Sequence, residues 1–156
     1  MKYLYQSIAQ ILENDSDLKK MVDYTEKKLN IRRGYKTDGV WEKLVVYYLQ
    51  PDNVLDDSVS EKIRIVPLIV RVYDRLDDLN CDDMAERIVL LLDGANLSIT
   101  DKIHVYDCTY TGELIPMSYN QDLKSNEKVI RFSIKVRMDE IIGKSGLPVR
   151  KRQRDN

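Results

Sequence analysis

Histidine occurs once in this chain of 156 residues, at His104, and that scarcity narrows the chemistry on offer. A base or metal site built on imidazole would need this one residue. It falls in a strand-like stretch, out of step with Ile103 and Val105, where a solvated side chain accounts for it. Cysteine occurs twice, at Cys81 and Cys108, without metal-ligand spacing. Two reduced, partly buried thiols are therefore expected rather than a disulfide framework. Only six glycines are present, and none forms a phosphate loop after a strand. No Gly-x-Ser-x-Gly elbow and no His-Glu-x-x-His helix occurs. No apolar run approaches the ~18 residues of a membrane span, and no leader pattern opens the chain. A protein made and used in the cytoplasm, without membrane contact, is expected.

A bias of charge is missing as well. Lys plus Arg total 25 against 26 Asp plus Glu, which argues against general affinity for nucleic acid. What the chain does have is enough length and apolar content, 43%, for a core. A single domain of this size buries about 68–70% of its unfolded surface and needs no staples. Ten Tyr stand against one Phe and one Trp. Tyrosine suits half-wet contact surfaces, because its ring packs while its hydroxyl keeps a partner.

Nucleophilic catalysis needs a base beside the nucleophile. Cys108 and His104 share a strand face, but four residues place them ~13 Å apart at about 3.3 Å per residue. That pair fails. Asp77-Asp78 and Asp82-Asp83 flank the start of a helix, where a divalent cation is one reading. Their spacing does not match a calcium loop, and negative charge at a helix start has its own electrostatic reason. No catalytic residue, metal ligand or cofactor site is assigned, and an enzyme is not expected.

The clearest local signal is Val129 to Met138. Ile130, Phe132, Ile134, Val136 and Met138 point one way, and Arg131, Ser133, Lys135 and Arg137 the other. That alternation is a half-buried strand with a basic polar face. Upstream, Leu4, Ile8, Ile11 and Leu12 recur at helical spacing and end near Asn14-Asp15-Ser16. Leu18, Met21, Val22, Thr25 and Leu29 suggest a second helix, and Arg32 to Gly39 a basic loop. Strands are expected from Trp41 to Leu49 and from Ile63 to Tyr73, where Pro67 should sit at a bulge or an open edge. A helix is expected from Asn80, with Asp82 and Asp83 in its first turn, Met84, Ile88, Leu91 and Leu92 inward, and Gly94 closing it. Ile103 to Tyr110 reads as a strand and Thr111 to Lys128 as a long polar loop.

The expected fold is α+β, a mixed four-stranded sheet packed by two or three helices on one face. Short connections make the first and last strand pairs antiparallel, while the middle helix leads either to a parallel neighbour or back to an edge. Residues 1–142 form the single domain. Residues 143–156 form a flexible basic tail carrying Lys144, Arg150, Lys151, Arg152 and Arg154, which leaves 20 basic and 25 acidic residues in the body. Such a tail is either an arm for phosphate or an acidic partner, or a solvated terminus.

This layout resembles the tail-completion, or tail-terminator, proteins of long-tailed bacteriophages. The matching parts are the N-terminal helix, Leu44-Val45-Val46-Tyr47-Tyr48, the strand Ile63 to Tyr73, the helix around Ala85-Glu86-Arg87-Ile88 and the strand Arg131-Phe132-Ser133-Ile134. The resemblance spans residues 1 to 140. The basic stretch Arg32 to Lys36 and the Arg-rich tail depart from it. It implies a structural virion protein at the head-proximal end of the tail, assembled in the host cytoplasm as a hexameric homo-oligomeric ring. Such a ring ends tube polymerisation by presenting a face that the next tube ring cannot dock on. Implied partners are further copies of the chain, the tail-tube protein and the head-completion or connector protein, with DNA only passing through the lumen.

The residues assigned to these contacts are Asp52, Asp56, Asp57 and Glu61 in an acidic loop, Tyr119 in the polar loop, and Arg131, Lys135 and Arg137 on the last strand. Two alternatives remain: another neck component, or a small nucleic-acid-binding module using the tail, Arg32, Arg33 and the basic strand face. A DNA channel wall should carry mixed or negative charge, which the acidic loop would supply. Replacing Asp52, Asp56, Asp57 and Glu61 by Lys is expected to hinder DNA passage while leaving assembly intact, as read by virion infectivity; unchanged infectivity would count against that lining.

Overall fold

Ile130, Phe132, Ile134 and Val136 are all fully buried, while Arg131 and Arg137 are exposed, as the alternation demands. In the computed structural model, residues 2–50, 63–98, 101 and 103–137 are described. The acidic loop 52–61 and the tail 143–156 lie outside them. Five strands run β1 (Ile31–Arg33), β2 (Lys43–Leu49), β3 (Ile63–Asp74), β4 (Val105–Asn120) and β5 (Ser125–Arg137). Three helices, α1 (Lys2–Glu13), α2 (Ser16–Met21) and α3 (Asp78–Leu92), complete the described elements. The sheet order is β1-β2-β3-β5-β4. Both expected strand pairs are antiparallel. β4 returns to an edge, leaving β5 between it and β3.

The sheet therefore has five strands, not four. The additional one is β1, which pairs parallel to β2 through Ile31 with Val45, Arg32 with Val46 and Arg33 with Tyr47. Its two arginines, Arg32 and Arg33, belong to the stretch expected to be a basic loop. Three residues with two arginines carry no period-two signal, and the strand exists because β2 offers it a ladder. Helical spacing also misled at Leu29, which is exposed. α2 stops at Met21 because the chain reverses at Asp23 (φ 54°), and Asn30 pins the turn by donating to the Val22 carbonyl at 2.8 Å.

The stretch Thr111 to Lys128 is not a loop either. It forms the far half of a long β4–β5 hairpin closed by residues 121–124. Register shifts between Val105 and Asp107, Tyr110 and Gly112, Glu113 and Ile115, and Ile115 and Ser118 break the alternation that would reveal a strand. Pro67, by contrast, obeys its constraint. Its carbonyl accepts from Gln50 at 2.9 Å, so its nitrogen also faces β2, where the ladder ends at Leu49 and Leu68.

The helices cover one face. Leu4, Ile8 and Leu12 of α1, Leu18 of α2, and Cys81, Met84, Ile88 and Leu92 of α3 share a core with Val45, Tyr47, Val70, Ile130 and Phe132. α3 starts two residues before the expected Asn80. Asp77 is its N-cap, its carboxylate accepting from the Leu79 N–H at 2.9 Å. Gly94 (φ +75°) follows the helix end in the left-handed region and donates its N–H to Cys108 at 2.8 Å.

Parallel β1 and β2 are joined by residues 34–42 alone, shorter than the dozen or so usual for such a crossover. The connection crosses the face opposite the helices. Trp41 packs there on Leu44, Val46 and Tyr73, and Tyr35 lies 4.0 Å from the Tyr48 ring. Arg75 fastens it, stacking 3.9 Å over Trp41 and donating to the carbonyls of Trp41 (2.8 Å) and Leu123 (3.2 Å). The second face is thus partly built into the fold.

The end of β3 is held by Asp74, fully buried. Its carboxylate accepts from the backbone of Leu76 (2.8 Å) and Asp77 (2.9 Å) and from Asn80 (2.7 Å), while its carbonyl accepts from Asn126 (2.9 Å). Removing the carboxylate strands three donors, each costing about 1–3 kcal/mol. Asp74→Ala is expected to lose about 3–5 kcal/mol in urea denaturation, and Asp74→Asn, which keeps one acceptor, clearly less.

Candidate interaction surfaces

The strand positions assigned from sequence lie on one hairpin but not in one cluster. Arg131, Lys135 and Arg137 alternate along the face of β5 turned away from the helices. Arg131 is exposed and stands opposite Gly112 on one side and Ile69 on the other, with the Thr111 hydroxyl donating to its carbonyl at 3.1 Å. Lys135 stands opposite Asp107 and Ile65. Among the described residues neither Arg131 nor Lys135 forms an ion pair. Arg137 donates its backbone N–H to His104 at 3.0 Å.

Tyr119 is at the other end. It pairs with Asn126 beside the hairpin turn and is 52% exposed. From Asn126 to Arg137 the strand runs on the order of 37 Å at about 3.4 Å per residue. A single partner group cannot touch both ends. The acidic positions Asp52, Asp56, Asp57 and Glu61 lie outside the described residues.

The tyrosines divide by environment. Tyr47, Tyr48 and Tyr73 are buried with hydroxyl partners. Tyr47 donates to Glu13 at 3.1 Å, and burial, reinforced by that carboxylate, pushes its phenol well above the usual range. Tyr35, Tyr106 and Tyr119 remain exposed, which is where half-wet contact is available. His104 is exposed and meets the Tyr106 ring edge-on at 4.5 Å.

The acidic residues around α3 have structural occupations in part. Asp77 caps the helix, and Asp82 and Glu113 hold Lys128 at 2.5 and 2.9 Å. Burial opposes the charge on Lys128, but the two carboxylates outweigh it and hold the ammonium above its ordinary range. Asp78, Asp83 and Glu86 are exposed.

Two surfaces combine charge that the sequence shows with apolar side chains whose exposure it does not show directly. Leu79, Asp83, Glu86 and Leu90, spaced i, i+4, i+7 and i+11, form the outward stripe of α3, with both leucines more than 70% exposed. Beside it lies a groove of about 410 Å³ lined by Val89, Leu90, Tyr110 and Ile130, with Glu86 and Lys128 as its charges. At the β1 edge, Leu29, Tyr35 and Val40 are exposed among Lys27, Lys28, Arg33 and Lys36. The helix pattern held the first of these signals: apolar residues at 79 and 90 oppose the stripe 81, 85, 88 and 92 and cannot share its core.

Cys81 and Cys108 are buried, and desolvation pushes both thiols up to about 12. A raised value lowers the thiolate fraction, so at pH 8 both are held as unreactive thiols. Ellman's reagent is expected to find neither thiol in the native protein and both after unfolding in guanidinium; fast native labelling would contradict this burial.

No family model matches the sequence, and none of the curated proteins matches it. Among solved structures, a chain in the virion of a native gene transfer agent particle has a similar fold. The TM-score is 0.65 at 14% identity, covering 83% of this chain and 91% of that one. At that identity the likeness is one of fold.

Proposed function

We propose that this chain is a non-enzymatic structural subunit of a phage-like virion, and within it a tail terminator. The likeness to a chain of a gene transfer agent virion supports the virion role, because it extends over nearly the whole of that chain. The narrower reading rests on the order of elements and on surfaces suited to self-association. In this reading the subunits form a ring, a hexamer by resemblance, that sits at the head-proximal end of the tail. One rim copies the docking surface of the tube, and the other does not, so growth stops when the ring adds. The same outer rim receives the head-completion protein. Exposed Tyr and Leu side chains supply affinity, and charged rims set register.

The DNA-binding reading keeps one favourable observation: Arg131 and Lys135 form no ion pair among the described residues, although Lys135 stands opposite Asp107. The two readings separate by experiment. Light scattering of the protein, alone and mixed with tail-tube subunits, together with negative-stain images, is expected to reveal ring-sized particles. Affinity for duplex DNA is expected to be negligible at physiological salt. A monomer under all these conditions that binds DNA with a log–log salt slope of several units, about −0.9 per neutralised phosphate, would replace the terminator reading with the other.

A further inference from the structure

The surface on α3 and the surface at the β1 edge are complementary to each other. Residues 77–86 carry Asp77, Asp78, Asp82, Asp83 and Glu86 and no basic residue. Residues 27–36 carry Lys27, Lys28, Arg32, Arg33 and Lys36 and no acidic one. Each patch also exposes large apolar side chains: Leu76 (72%), Leu79 (71%) and Leu90 (75%) on the acidic side, and Leu29 (54%), Tyr35 (67%) and Val40 (100%) on the basic side. Solitary exposed leucines are ordinary, but such groups beside clustered charge mark contact surfaces, even with Lys128 near Leu90 and Asp38 paired to Arg32 as the opposite charges nearby.

Both patches are preformed. The acidic one stands on the outward stripe of a helix of 15 residues packed on β3, β4 and β5. The basic one is drawn together by Arg32, which donates to the carbonyls of Leu29 (3.1 Å) and Asp38 (2.7 Å) and so joins the two segments that flank β1. Asp83, Glu86, Lys27, Lys28 and Lys36 form no ion pair among the described residues, so their charge is available.

Placement decides the geometry. α3 lies over the β4 half of the sheet, and β1 is the opposite edge. The two patches of one subunit therefore stand on different elements, at opposite ends of the strand order. Pairing either patch with its own copy would bring like charges together, which excludes a two-fold contact through it. Strand addition at β4 is also disfavoured, since its register shifts and Pro116 interrupt the edge.

We infer that copies of this chain associate head to tail, the α3 stripe Leu79-Asp83-Glu86-Leu90 of one seating on the Leu29, Tyr35 and Val40 edge of the next, with Asp83 and Glu86 against Lys28 and Lys36. This contact is heterologous, and repeated rotation closes it into a ring. It rests on the self-assembling reading above and gives that reading its interface.

The test is a charge exchange at exposed positions, with circular dichroism and the thermal midpoint confirming that each variant folds. Asp83→Lys/Glu86→Lys and Lys28→Glu/Lys36→Glu are each expected to lose assembly by at least about 100-fold when alone, as oppositely charged pairs across interfaces do. Mixed in equal amounts they should assemble again, because each mutated patch then meets its complement. Wild-type assembly with both variants also assembling normally would overturn this contact and leave the ring intact. A wild type that stays monomeric, even with tube subunits, would instead overturn the ring itself. If deletion of residues 143–156 abolished assembly while Lys28→Glu/Lys36→Glu did not, the α3 stripe would belong to the basic tail and the proposal would fall.

Discussion

Asp74 is where separate pieces of this fold are made to agree. It ends the central strand, and its carboxylate turns the chain into α3 by collecting the N–H groups of Leu76 and Asp77. Asn80, which it also holds, reaches across to the Met21 carbonyl at the end of α2. On the other side Asn126 ties the start of β5 to its carbonyl. One buried acid thus sets the helix layer relative to the sheet and the long hairpin relative to both. Buried polar groups of this kind specify a single arrangement because every alternative leaves a donor unpaired. The position of the α3 stripe, and of the groove beside it, follows from that junction.

What could be read from the sequence followed the range of the interactions involved. β5 announced itself because Ile130, Phe132, Ile134 and Val136 pack on the helices while their neighbours meet solvent or the far face. β2 and β3, buried along nearly their whole length, are legible instead as runs of β-branched, aliphatic and aromatic residues, and α1 and the inward stripe of α3 by helical spacing. β4 was lost beyond Tyr110, since four irregularities and the residues Gly112 and Pro116 erase its period. β1 was lost because nothing local makes it a strand; only the ladder of β2 does. The start of α3 was displaced by two residues because Asp77 and Asn80 are both fair caps, and Asn80 is used for a long-range bond instead.

The candidate site was less legible than the fold. Arg131, Lys135 and Arg137 were placed on the right face, because strand alternation carries that information. Tyr119 was assigned to a loop and stands on a strand, an arm's length from the basic row. The acidic pairs before and within α3 and the basic stretch Arg32 to Gly39 are legible as charge, but not the exposed apolar side chains among them, since exposure is hidden until the inward stripe is known. Fold likeness at 14% identity has the same origin. Alternation and core packing survive wide substitution, whereas surface chemistry need not.

The interrupted margin formed by β4 has a consequence for how other chains can meet this one. An uninterrupted ribbon of backbone donors and acceptors recruits any passing strand and adds layer upon layer without a natural end. Register shifts around Gly112 and Pro116 hinder that recruitment, so a partner on this side meets side chains before it meets free backbone. An open-ended stack of added strands is the outcome such a margin disfavours.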